Sequence, residues 1–247
     1  WLKRTMDDYI TLNEYSPTYN FEAITNTGQL YSWMNNLFLP VMFPQVTAGG
    51  AELSCEGKQY MEDGTNFRVG NIRMRQIKVG LNRGKAWSED KTADYSTCTI
   101  PSMFEDSMDR CFAPWGYKEK MGDLENNQFK KRWKSMKWAN SVDLHTPSIY
   151  NSPTRHRFPG SGYTKLLANN YDLAQEDLDN LFRKTWIDIQ TRAVFIEFTA
   201  LNVPNTYVIS AVLMLEYGAE GDVLPSTHYT ISTVYKTYLI LTEIGLI

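Results

Sequence analysis

Thr185-Trp-Ile-Asp-Ile-Gln-Thr-Arg-Ala-Val-Phe-Ile-Glu-Phe-Thr-Ala-Leu-Asn202 and, after a break at Asn202-Val-Pro-Asn205, Thr206-Tyr-Val-Ile-Ser-Ala-Val-Leu-Met-Leu-Glu-Tyr217 decide the fold. From Arg192 onward the first stretch is rich in β-branched and aromatic residues. Its alternation puts Val194, Ile196 and Phe198 on one face and Glu197 on the other. Two long strands joined by a short turn predict an antiparallel pair. Just upstream, Asp172 reads as a helix N-cap with Gln175 at N3, Glu176, Asp177 and Asp179 follow, and Arg183 and Lys184 close the element. Charge therefore complements the dipole at both ends. Leu178, Leu181 and Phe182 form the predicted buried stripe. Downstream, Gly218 to Pro225 reads as a turn-rich connection to an apolar C-terminal run. Helices and antiparallel strands in this order predict an α+β fold, an antiparallel sheet with flanking helices.

Toward the N-terminus, residues 28–43 place Leu30, Trp33, Met34, Leu37 and Phe38 at helical spacing, with Pro40 predicted to end a short amphipathic helix. Gly49-Gly50 and Gly57 to Gly64 mark loops around Cys55. In Val69-Gly-Asn-Ile-Arg-Met-Arg-Gln-Ile-Lys-Val79 the apolar phase changes between Ile72/Met74 and Ile77/Val79, which predicts a bulged strand slipping near Arg75 and Gln76. Residues 118–160 are the least regular part, with nine basic and four acidic side chains in a chain of net charge −3. They contain Phe129-Lys-Lys-Arg-Trp-Lys-Ser-Met-Lys-Trp138, in which Lys130, Lys131, Arg132, Lys134 and Lys137 interleave with Trp133 and Trp138. Such a strip suits an anionic partner, with rings that stack or cover apolar surface. The favoured reading is a solvated loop or helix face folded against the chain's own acids.

Composition narrows the function. A chain of 247 residues, 43% hydrophobic and 13% aromatic, supplies far more apolar surface than a disordered segment carries. A net charge of −3 argues against a dedicated nucleic-acid binder. His145, His156 and His228 show no metal-ligand spacing, and no Gly-X-Ser-X-Gly elbow occurs. The expectation is a protein that is not an enzyme and needs no cofactor. Cys98 and Cys111 are spaced to close a small loop by a disulfide or to stand reduced in a cytosolic domain, which leaves Cys55 as the odd thiol. Trp1-Leu-Lys-Arg-Thr-Met-Asp-Asp8 does not read as a signal peptide. Val234 to Ile247 is rich in apolar residues, interrupted by Lys236 and Glu243, and reads as a core helix or the first turns of a membrane helix.

Taken together, the order of motifs resembles the extracellular domain of polycystin cation channels, closest to the polycystin-2 type. The Thr185–Asn202 run and Leu213-Met-Leu-Glu-Tyr-Gly-Ala-Glu-Gly-Asp-Val-Leu-Pro-Ser226 resemble the end of that domain. Val69 to Val79 is similar to its Val-Pro-Arg-Ile-Arg-Gln-Leu-Arg-Val strand, and Cys98-Thr-Ile-Pro with Cys111 to its Cys-Ser-Ile-Pro to Cys pair. Ala113-Pro-Trp-Gly and Gly160-Ser-Gly-Tyr resemble its Ala-Pro-Phe-Gly and Gly-Ala-Gly-Tyr. The blocks are collinear over residues 28–247. Gly218, Glu220 and Asp222 depart from the family's Pro, Thr and Gly, Leu201 stands where an aromatic is usual, and the chain has no Asn-X-Ser/Thr glycosylation sequon.

This resemblance implies a Cys98–Cys111 disulfide in an oxidising compartment. It implies residues 1–12 as the exit from a first membrane helix, 13–230 as the extracellular domain and 231–247 as the start of a second membrane helix. The intact protein would be a calcium-permeable, non-selective cation channel in the ciliary or plasma membrane, or the endoplasmic reticulum, with this domain in a tetrameric ring above the pore. Other subunits, identical or not, and the membrane would be its partners, Ca2+ its permeant ion, and nucleic acid no partner. Phe195, Glu197, Phe198 and Asn202 are expected to brace the sheet for assembly. The alternative is an adhesion or ligand-binding module docking an extracellular filament, a matrix protein or an acidic glycan through the strip at 130–138.

Overall fold

A computed structural model of the chain describes residues 20–79, 81–83, 103, 107, 110–112, 132–134, 136, 138–146, 150–218 and 221–233. Its centre is a six-stranded sheet in the order β10-β9-β8-β1-β7-β4. The strands are β1 (Asn66–Lys78), β4 (Trp138–Ala139), β7 (Gly162–Leu166), β8 (Thr191–Asn202), β9 (Tyr207–Tyr217) and β10 (Val223–Thr233), and every pair is antiparallel. Two small ribbons stand apart, β2 (Leu81–Arg83) with β3 (Arg110–Phe112) and β5 (Tyr150–Asn151) with β6 (Arg157–Phe158). The α+β architecture and the β8–β9 hairpin follow the expectation. Of the stretch read as a connection, Gly218–Asp222 is a turn, but β10 starts at Val223 and pairs residue for residue with β9 from Val223↔Tyr217 to Thr233↔Tyr207, so Ile231–Thr233, expected to open a second membrane helix, belong to the sheet. Pro225 is tolerated because β10 is an edge strand of this sheet.

The long central strands β1, β8 and β9 are buried on both faces over most of their length. On one side Ile72, Met74, Val194, Ile196, Phe198, Ala200, Ala211, Leu213 and Leu215 pack under the helices. On the other, Ile77, Val79, Ala193, Phe195, Val212 and Met214 gather around Phe158. This explains the phase change in β1. Arg75 and Gln76 pair with Phe195 and Val194 in unbroken register, so no slip occurs there. The register shifts lie instead between Val69 and Arg73, where Gly70 takes φ +74°, and between Ile77 and Lys78. The apolar residues change phase because two different cores claim opposite faces.

The helical layer begins with α1 (Thr27–Trp33), capped by the Asn26 side chain accepting from the Gln29 amide at 2.9 Å. It widens into a π-helical turn at Met34–Phe38 and ends as α2 (Leu39–Met42). Pro40 therefore does not stop the helix. The Leu39 amide reaches back five residues to the Met34 carbonyl, and this wider turn meets the proline, which lacks an amide and would crowd a regular ladder. Leu30, Trp33, Met34 and Phe38 are buried, with Trp33 ring-packed between Phe21 and Phe38, and Phe38 edge-on to Phe198 of β8. After the short α3 (Ser141–Leu144), the long α4 (Tyr171–Arg183) completes the layer.

Asn170, not Asp172, caps α4: its Oδ1 accepts from the amides of Asp172 (3.0 Å) and Leu173 (3.5 Å). The buried stripe is Ala174, Leu178 and Leu181. Phe182 is 55% exposed, at the flank of that stripe, where its ring meets the edge of Tyr31.

Candidate functional site

Opposite the helices, the second sheet face carries charge where an ordinary core would be apolar. Glu197, two residues beyond Phe195 on β8, points into this side and is nearly fully buried. One carboxylate oxygen accepts from Arg75 Nε (3.0 Å) and Nη2 (2.8 Å), the other from Arg73 Nε (2.5 Å). Arg75 has no exposed side-chain surface. Its guanidinium lies 3.8 Å over the Phe195 ring, and its Nη1 donates to the carbonyls of Pro159 (2.9 Å) and Ser161 (3.1 Å). Arg73 donates to the Leu144 carbonyl at 2.9 Å. Each arginine thus holds Glu197 with one edge and the backbone between α3 and β7 with another.

A second clasp lies on the neighbouring strand. Buried Glu216 of β9 faces His156 Nδ1 at 2.7 Å and accepts from the hydroxyl and amide of Thr154. Ser152 closes the loop, its hydroxyl accepting from the His156 amide at 2.8 Å. Two buried carboxylates on adjacent strands therefore strap the 144–161 excursion onto the sheet. A buried charge is tolerated only when paired and hydrogen-bonded, so these contacts specify where the excursion sits.

At the beginning of β8 the segment Trp186-Ile-Asp-Ile-Gln-Thr-Arg192 forms a third cluster. Trp186 is fully buried, its indole N–H donates to Met136 Sδ at 3.0 Å, and its carbonyl accepts from Gln76 Nε2 at 3.0 Å. Gln76 also accepts from the Thr191 hydroxyl (3.1 Å), and Gln190 Nε2 donates to the Val79 carbonyl (3.0 Å). Lys78 and Asp188 form a buried ion pair at 2.6 Å. Burial outweighs the partner charge and lowers the Lys78 pKa to about 8. Burial likewise draws Arg192 down and pushes Tyr217 up to about 12 and Tyr31 further.

These shifts predict a pH profile. Between about pH 8 and the ordinary lysine range, the unfolded chain holds a proton that folded Lys78 has released, so stability rises with pH. Above pH 10 the unfolded tyrosines ionise while buried Tyr31 and Tyr217 do not, and stability falls. Urea midpoints across pH 7–11 should rise and then fall. Lys78→Met should abolish the rise, and Tyr31→Phe with Tyr217→Phe should flatten the fall.

Of the residues expected to brace the sheet, Phe198 sits in the helix-side core, Phe195 in the opposite one, and Glu197 in the arginine cluster. Asn202 closes the β8–β9 turn: its Oδ1 accepts from Asn205 (backbone N 3.1 Å, Nδ2 2.8 Å), and its Nδ2 donates to Asn66 of β1 at 3.1 Å. The structure brings none of these four to a common outer surface. In the strip at 130–138, Arg132 and Lys134 are exposed, whereas Trp133 and Trp138 are half-buried against the cores. Lys184 lies 5.6 Å over the Trp133 ring. Both tryptophans cover apolar surface of the cores. Lys130, Lys131, Lys137 and Cys98 lie outside the described residues, as does the side chain of Cys111; Cys55 is exposed and free.

Sequence reasoning missed Arg73, Arg75, Glu216, Lys78, Asp188 and His156. The available signal was a charge standing on the inward phase of a strand between large apolar residues. Gly160-Ser-Gly-Tyr163 also acquires a reason. A Cβ on Gly162 would lie 2.7 Å from the Gln76 carbonyl and 2.9 Å from Arg75 Cγ. Gly162→Ala should therefore force β7 off β1 and cost roughly 2 kcal/mol in chemical unfolding, whereas Ala at Gly49, whose Cβ would meet only the Thr47 hydroxyl at 3.8 Å, should leave the arginine cluster undisturbed.

A central antiparallel sheet with helices on one side and a side-chain-strapped excursion on the other defines an α+β domain held by buried ion pairs. The family model of the Polycystin domain matches residues 20–234, and the chain belongs to that family. It is similar to Polycystin-2-like protein 2 of Homo sapiens, 26% identical over 219 residues, covering 85% of this chain and 30% of the relative. Polycystin-2 of Caenorhabditis elegans is 24% identical over 213 residues, covering 83% of this chain and 25% of that protein. Polycystin-1-like protein 3 of Mus musculus is 22% identical over 212 residues, covering 85% and 9%. The chain thus spans less than a third of the length of these curated relatives.

Proposed function

We propose that this chain is the extracellular assembly and gating domain of a polycystin-type, calcium-permeable, non-selective cation channel, set as a tetrameric ring above the pore. The observation that carries the reading is the match of the Polycystin domain over residues 20–234. The domain suits the task, because β1, β8 and β9 are buried on both faces over most of their length and the excursion is clamped at Glu197 and Glu216. A rigid ring transmits a displacement at its rim to whatever its termini join. In this reading the membrane lies beyond Thr233, where β10 ends and the apolar run from Val234 to Ile247 begins. Among the described residues no helix is long and apolar enough to cross a membrane. A Cys98–Cys111 disulfide would close the loop after β2 on the luminal or extracellular side, in a ciliary, plasma or reticulum membrane.

The test is the mass of the native protein in lipid nanodiscs, by mass photometry and particle symmetry. Four-fold particles are expected, and a uniformly monomeric protein sinks the assembly role. Non-reducing peptide mapping of the same material should recover Cys98 and Cys111 joined.

A further inference from the structure

The sheet is unevenly covered along its length. Near the start of β8 both faces are sealed, but at the far end, where β8 turns into β9 and β10 finishes, the covering stops. There Val203, Tyr207 and Ile231 are 44%, 42% and 64% exposed. Tyr207 and Ile231 share one face, since they lie opposite Thr233 and Ile209 across β9–β10. On the other face, Phe67, Leu201 and Val208 are direct cross-strand neighbours, none of them fully buried. From Phe198 to Leu215 the sequence carries no Asp, Glu, Lys or Arg, and none occurs from Val223 to Tyr235. The tip also holds Asn202, Asn205, Thr206 and Thr233, and the start of β1 adjoins it: the Thr65 carbonyl accepts from the Val203 amide at 3.1 Å, and the Asp63 carboxylate accepts from Thr65 and Asn66. Apolar and aromatic groups mixed with amides and hydroxyls, with the Asp63 carboxylate beside them engaged by Thr65 and Asn66, match the chemistry of a bilayer's interfacial zone.

We infer that the β8–β9 tip and the end of β10 rest in the interfacial zone of the lipid bilayer. The choice of a lipid surface over a protein partner comes from the chain's own course. β10 ends at Thr233 beside Tyr207, and the next fourteen residues are the apolar run containing Tyr238-Leu-Ile-Leu241. The inference rests on the proposed reading of that run as the start of a membrane helix. It adds that the domain itself touches lipid, and names the segment that does so.

The test is quenching of bimane in the 247-residue chain reconstituted in phosphatidylcholine vesicles with and without brominated acyl chains. The chain carries Cys55→Ser, and the label signal of this background alone is subtracted. Bimane is placed singly at Val203→Cys, at Leu239→Cys, and at Ile189→Cys, an exposed position before β8 and therefore at the opposite end of the sheet. Brominated lipid should quench the first two at least two-fold and leave Ile189→Cys unchanged. Quenching at Leu239→Cys alone would overturn the tip contact while sparing the channel reading. Failure at both Val203→Cys and Leu239→Cys would overturn both, and equal quenching at Ile189→Cys would show adsorption without orientation and overturn the inference. The double variant Val203→Asp with Ile231→Asp should cut partitioning into the same vesicles at least three-fold, with unchanged circular dichroism.

Discussion

Glu197→Ala should destabilise the domain by about 3–5 kcal/mol, because it leaves Arg75 buried with no carboxylate. In a domain of this size such a loss lowers Tm by roughly 10 °C. Arg73 is a fifth exposed and recovers part of its solvation, so the penalty falls mainly on Arg75. The effect should also be local. Arg75 loses the partner that orients it toward the Pro159 and Ser161 carbonyls, and amide exchange in 144–161 should accelerate more than in α4. Replacing all three charges together with apolar residues of similar volume should cost less than Glu197→Ala alone, since removing a whole buried network also removes its desolvation penalty. A triple variant as unstable as the single one would show that the cluster supplies stability rather than position.

Trp186→Ala should be comparably severe, costing about 3–5 kcal/mol in urea denaturation. The ring fills the space between the end of α4 and the sheet and is completely buried, while its backbone carbonyl fixes Gln76 of β1. Trp186→Phe should recover part of the loss by refilling volume, without the indole donor to Met136. If Phe restores full stability, that donor contributes nothing measurable.

The elements that were legible in the sequence are those with one strong local signal. β8 and β9 are runs of 12 and 11 residues rich in β-branched, aromatic and aliphatic side chains on either side of a short break, and α1 and α4 carry helical stripes, so their type and pairing followed from residue types and spacing. Misreadings arose where a second influence competed. β1 looked slipped because alternation on a strand buried on both faces mimics a phase change. Pro40 looked terminal because a π-helical turn cannot be read from residue types. The start of β10 looked like part of a connection because its sequence, Pro225 included, lacks a stripe. Phe182 reads as buried by hydrophobicity alone, whereas its position on α4 lies at the flank of the stripe. The strap was hidden for a different reason. Glu197 pairs with arginines 122 and 124 residues away, and Glu216 with a histidine 60 residues away, distances over which no local pattern carries information.

The long span between β1 and β8 has a consequence for synthesis. Arg75 waits on the nascent chain for a carboxylate 122 residues later, and at ribosomal speeds of about 5–20 residues per second that interval is on the order of ten seconds. Throughout it, Ile72, Met74 and Ile77 are translated but lack the β8 strand that completes their packing. A cell making this protein must shield that segment until the codons for β8 have been read.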